Sequence, residues 1–134
     1  MEFLNDQTEL NNDRPSVSAC MIVKNEERFL AQCLTSIKNA VDEIIIVDTG
    51  STDKTIEIAQ SFDAKVYHHP WKNSFSEARN HSLRYATCDW ILQIDADETL
   101  EHADIPLLHK LIGEDSYNAI FVAIYSELPG GRSK

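Results

Sequence analysis

Two hydrophobic rhythms alternate along this chain. Residues 17–23 read VSACMIV, a continuous apolar run of strand length, and within residues 26–39 Phe29, Leu30, Cys33, Leu34 and Ile37 recur at helical spacing. Residues 43–47, EIIIV, are β-branched and predict a second strand, followed by the turn DTGSTD and a helical stretch carrying Ile56, Ala59 and Phe62. A short strand at 65–67 leads into the loop HHPWKNS. Ser74 and Glu77 form an S-x-x-E capping box, which predicts a helix through Tyr85 with Phe75, Ala78, Leu83 and Ala86 facing inward. Residues 90–94 predict a fourth strand, about 100–112 another helix, and 118–125 a fifth strand.

Repeated strand–helix units with nearly continuous apolar strands predict an α/β fold, a three-layer α/β/α sandwich around a mainly parallel open sheet. Such sheets bind ligands outside the carboxyl ends of their strands, where the strand order reverses. The first strand is followed by Lys24, Asn25, Glu26 and Glu27, the second by Asp48 through Asp53, and the fourth by Asp95, Ala96 and Asp97. Three strand ends thus carry polar, mostly acidic chemistry.

At 134 residues, 43% hydrophobic and 25% charged, the chain fits one globular domain over 16–134, preceded by a polar leader at 1–15 that lacks a signal-peptide pattern. No apolar stretch is long enough for a transmembrane helix. The net charge of −10 argues against a nucleic-acid partner. Three widely spaced cysteines, Cys20, Cys33 and Cys88, fit reduced core thiols in the cytoplasm. His68, His69 and His81 lack the spacing of a zinc ligand set.

The run WILQIDADET breaks abruptly from apolar residues into carboxylates. Asp95 and Asp97, two apart, share one side of an extended backbone and could hold a hard cation; a solvated acidic turn is the other reading. Asp48 follows EIIIV at the place where an open sheet presents a carboxylate to a ribose or base. Gly50 permits the tight turn, and Ser51, Thr52 or Asp53 can cap the next helix. Neither G-x-G-x-x-G nor G-x-x-x-x-G-K-[ST] occurs, so a bound phosphate needs neutralising otherwise. A metal at Asp97, with Asp95 nearby, would do so.

The blocks KNEE, VDTGSTD, EARN and DADE, in this order across residues 16 to 100, resemble the family 2 glycosyltransferases of GT-A fold. The resemblance implies a Rossmann-like nucleotide-binding half and a nucleotide-diphosphate sugar donor, usually UDP-linked. Lys24, Asn25 and Glu26 would lie beside the base and ribose, and Asp48 would bind the base or ribose. Arg79 would lie near the nucleotide and diphosphate; the other reading is a surface helix residue paired with Glu77 or another acid. Asp95 would reach the ribose or the metal-bound diphosphate, and Asp97 would coordinate Mn²⁺ or Mg²⁺.

Family members continue into an acceptor-binding half that holds the catalytic base of inverting enzymes, whereas this sequence ends nine residues after Tyr125. The expectation is therefore a donor-binding part with no nameable base, acting toward an unknown glycan, lipid or peptide acceptor. Its uncovered sheet face would invite a homodimer. Two rivals stand beside this reading. One is a non-catalytic nucleotide-binding module. The other is a haloacid-dehalogenase-type phosphatase, since DADET fits D-x-D-x-[TV]; but that chemistry needs the motif on an early strand, and only 35 residues follow Thr99.

Overall fold

The computed structural model describes residues 15–113 and 124–126. Four parallel strands, β1 (Val17–Val23), β2 (Glu43–Asp48), β3 (Lys65–His68) and β4 (Trp90–Gln93), form one sheet in the order β3-β2-β1-β4. The chain walks outward from β1 to β3, then returns to place β4 on the far side of β1. The order therefore reverses between β1 and β4, and the carboxyl ends of these two strands frame the switch point.

Helix α1 (Leu30–Ile37) connects β1 to β2, and α2 (Thr55–Ser61) connects β2 to β3. Helix α3 (Phe75–Arg84) carries the chain back to β4. Right-handed crossovers put helices that travel in opposite directions on opposite sheet faces. The pleat agrees with this. Val17, Ala19, Met21 and Val23 share a buried core with Leu30, Cys33, Leu34, Ile37, Ile44, Ile46 and Ala59. Cys20, one step out of phase, points its thiol at the Ser82 carbonyl of α3 (4.0 Å). The expected three-layer, mainly parallel arrangement is what forms.

The first helix is shorter than the 26–39 pattern predicts. Asn25 adopts a left-handed backbone (φ 55°), and the Glu26 carbonyl accepts from both Phe29 and Leu30, so residues 24–29 form a turn before α1 begins. The helix predicted over 100–112 divides. A strand β5 (Glu98–Leu100) packs along α1, where the Leu100 amide donates to Ser36 Oγ (3.0 Å). A 3₁₀ turn at His102–Asp104 follows. Helix α4 (Ile105–Ile112) starts only where Pro106, lacking an amide hydrogen, can sit in its first turn.

The fifth strand is also corrected. β6 (Ile124–Ser126) pairs antiparallel with β5, outside the parallel sheet. The rest of the predicted 118–125 strand, and the leader over 1–14, lie outside the described residues. Among the described residues no helix is long and apolar enough to cross a membrane.

Candidate functional site

The loops after β1 and β2 are built as one unit. The Asn25 amide donates to Ser51 Oγ (2.9 Å), and Asn25 Oδ1 accepts from the Thr52 amide (2.8 Å). The Glu26 amide donates to Thr55 Oγ1 (2.8 Å), while Glu27 Oε1 accepts from the Lys54 amide (2.9 Å). Asp53 binds the Thr55 amide (2.9 Å) and hydroxyl, and so satisfies the start of α2. KNEE and TGSTD therefore interlock. The side chain of Asn25 serves this seam.

Asp48 is 2% exposed, and its carboxylate accepts from the amides of Gly50 (3.2 Å) and Ser51 (3.1 Å), with His68 Nδ1 at 3.5 Å. Asp48 thus also shapes the loop that follows it. Gly50, at φ 135°, sits where a side chain would be strained.

The strand ends at Gln93, and Asp97 lies in the turn that follows Asp95. The Glu98 amide donates to the Asp95 carbonyl (3.0 Å), closing a turn with Ala96 buried at its centre. Glu98, itself buried, completes the turn: its Oε1 accepts from the Asp95 amide (2.8 Å). The sequence reading found no role for Glu98. An acid three residues after the first Asp is the local signal from which a capped turn could have been read.

The two acidic loops face each other. Burial pushes the Glu26 carboxyl above its ordinary range, and the charges of Asp97, Asp95 and Asp53 push it further. Burial also drives the Cys33 thiol up to about 12, assisted by Glu98, Asp97, Asp95 and Glu26, and its Sγ lies 3.6 Å from the Asp95 carbonyl. Concentrated negative charge of this kind favours a cation. Among the described residues, no cluster of three or more His, Cys, Asp or Glu side chains could hold a metal ion. A cation at Asp95 and Asp97 would therefore take its remaining ligands from outside the described side chains.

A cleft of about 200 Å³ opens at the switch point, lined by Cys20 and Ile22 of β1, Gln93 of β4, Asp95, Glu98, and Phe75, Arg79 and Ser82 of α3. Of the predicted site residues, Arg79 and Asp95 meet here. Glu77, the acid considered as a partner for Arg79, engages His69 instead (3.4 Å). A second cleft of about 280 Å³ lies alongside and is lined by Lys24, Glu26, Thr49, Trp71 and Phe75. Ile22 and Phe75 border both.

Two aromatic side chains stand at this rim. Trp71 is 45% exposed on the wall of the second cleft, its Nε1 held by Asn73 Oδ1 (3.2 Å). Phe75 does not pack inward. Ala78 and Ser82 take the buried face of α3 and leave Phe75 49% exposed, because the ring precedes the turn of helix that meets the sheet.

The family described as glycosyl transferase family 2 matches residues 18–134. A TPR repeat-containing protein of Synechococcus elongatus is 52% identical over 84 residues, covering 63% of this chain and 21% of that protein. The prophage-derived glycosyltransferase SunS of Bacillus subtilis is 42% identical over 88 residues, covering 64% of this chain and 21% of its own length. This chain thus spans about a fifth of these relatives. Among solved structures, glucosyl-3-phosphoglycerate synthase from Mycobacterium tuberculosis, in complex with Mn²⁺, UDP and glucosyl-3-phosphoglycerate, superposes with a TM-score of 0.62. It is 28% identical, over 75% of this chain and 41% of that one.

Proposed function

Since this chain belongs to glycosyl transferase family 2, we propose that it is the donor-binding part of an enzyme that moves a sugar from a UDP-sugar to a glycan, lipid or peptide acceptor. The observation that carries this reading is the meeting of Arg79 and Asp95 in one cleft at the β1/β4 switch point, beside the Glu26–Asp97 acidic pair.

Each residue receives a task from its chemistry. Lys24 and Glu26, on the second cleft, meet the base and ribose, with Trp71 as an aromatic wall. Asn25 and Asp48 hold the two loops in the shape that presents them. Arg79 binds the diphosphate through its fork of donors. Asp97, with Asp95, would hold Mn²⁺ or Mg²⁺, and Glu98 fixes the turn on which both sit. A bound divalent cation would neutralise charge that builds on the departing nucleoside diphosphate. Complex formation with Mn²⁺ and UDP by the mycobacterial synthase supports this assignment of ligands. The free thiols of Cys20, Cys33 and Cys88 support a cytoplasmic setting.

The test is a thermal melt with nucleotide and metal. UDP plus Mn²⁺ is expected to raise the melting temperature, and Asp97→Ala to remove the metal-dependent part of the rise. If neither UDP nor GDP, each with metal, shifts the melt of the unaltered chain, the donor-site reading fails. UDP release from a panel of UDP-sugars separates an enzyme from a nucleotide-binding module.

A further inference from the structure

The guanidinium of Arg79 lies 4.8 Å from the centroid of the Phe75 ring, one helical turn away on α3. That ring is the first residue of the helix, is half-exposed, and borders both clefts. The ring thus stands half-exposed at the junction of the two clefts, beside the guanidinium. We propose that Phe75 is a positioning residue: it holds Arg79 at the junction of the clefts, preorganised for the diphosphate of the donor. This inference rests on the donor-site reading above.

The helix beneath this pair is well anchored. Ser74 Oγ caps it by accepting from the Glu77 amide (3.1 Å), Ala78 and Ser82 are buried, and the Cys20 thiol reaches the Ser82 carbonyl. The Phe75 Cα is therefore fixed relative to β1. Arg79, by contrast, is exposed, and an unrestrained arginine side chain loses rotamer freedom when a ligand immobilises it.

Contact with an aromatic ring restrains the guanidinium before the ligand arrives. It does so through the ring quadrupole, which uses none of the oxygen-seeking N–H donors. A carboxylate partner would occupy those donors, and the acid nearest in sequence, Glu77, is instead directed to His69. The ring thus orders Arg79 while leaving its fork available to a diphosphate.

Calorimetric titration of the 134-residue chain with UDP and with uridine, each with Mn²⁺, tests this. Phe75→Leu is expected to weaken UDP binding about tenfold while changing uridine binding less than about twofold, and Phe75→Tyr to restore the UDP affinity. In an Arg79→Ala background, Phe75→Leu is expected to have no further effect. A ligand-free signature accompanies these: upfield ring-current shifts of the Arg79 side-chain protons, kept by Tyr and lost with Leu.

Unchanged UDP affinity in Phe75→Leu would overturn the inference. So would an equal loss for uridine and UDP, or a loss that persists without Arg79. If the unaltered chain binds neither UDP nor uridine, the donor-site reading itself falls and the inference falls with it, which separates the two failures.

Discussion

Asn25 and Thr52 join the two loops at the carboxyl edge of the sheet: Asn25 Oδ1 accepts the Thr52 amide at 2.8 Å while Asn25 itself holds φ at 55°. One residue thus supplies both a left-handed backbone and a hydrogen-bond acceptor, a pair of properties that asparagine combines more readily than other side chains. Asn25→Ala is expected to cost about 2 kcal/mol, from the lost bond and from backbone strain together. Asn25→Gly relieves the strain and is expected to cost about half as much. Urea denaturation of both variants checks the split.

At the opposite end of the sheet, Glu43 ties three strands. Its carboxylate accepts from Ser18 Oγ of β1, from the Thr87 amide (2.7 Å) and hydroxyl (2.9 Å) before β4, and from Lys65 Nζ of β3 (3.0 Å). Burial alone would push Glu43 up, but the bonds from Ser18, Thr87 and Lys65 outweigh it and bring the carboxyl down to about 2. A depressed folded value stabilises the protein above the ordinary carboxyl range near 4.5 and loses that stability as pH falls toward 2. A fall of about 2 kcal/mol over that window is expected, and Glu43→Gln should flatten it. The measurement is a set of urea melts from pH 6 to pH 2.

The acidic turn depends on Glu98. Glu98→Ala leaves the Asp95 amide without this acceptor and is expected to destabilise by about 1 kcal/mol and to weaken Mn²⁺-dependent UDP binding. Glu98→Gln keeps an oxygen in place and should cost less than about 1 kcal/mol. Equal behaviour of the two variants, in melts and titrations, would count against a capping role.

Core and surface leucines should separate widely. Leu34 is 0% exposed between α1 and the sheet, so Leu34→Ala is expected to cost about 3 kcal/mol in a chemical melt. Leu107 is 54% exposed on α4, and Leu107→Ala should change stability by no more than about 0.5 kcal/mol.

Thiol labelling reads the same burial. Burial raises Cys20 to about 11, with help from Glu43 and Cys88, and Cys33 to about 12. Both are expected to resist iodoacetamide at pH 7.5 in the folded chain and to react after denaturation, as mass spectrometry of digests would record.

The parallel strands were legible because their apolar runs are continuous, and the capping box at Ser74 because its spacing is local. The limits of α1 and the division at 98–104 were not, since both depend on distant partners: Thr52 and Thr55 for the turn around Asn25, Ser36 for the amide of Leu100. At the site, the acids and Arg79 could be named from their motifs. That Asp48 and Asn25 spend their polar atoms on backbone amides could not, because neighbouring loops meet only once the sheet has formed. Phe75 was misread inward for the same reason: periodicity names a helical stripe, but the sheet beneath decides where along the helix it is covered.

The strand order also carries a history of assembly. β1 meets β2 through a single intervening helix, whereas its other edge waits for β4, and the hydrogen bond between Ser16 and Asp89 that flanks this pairing spans 73 residues. Closing the longer loop costs more chain entropy and comes after nearer contacts have formed. The Arg79–Asp95 cleft lies on that late seam. Pulse-labelled hydrogen exchange during refolding is expected to protect the β1–β2 amides before those of β4, so that the cleft itself is completed at the final step of folding.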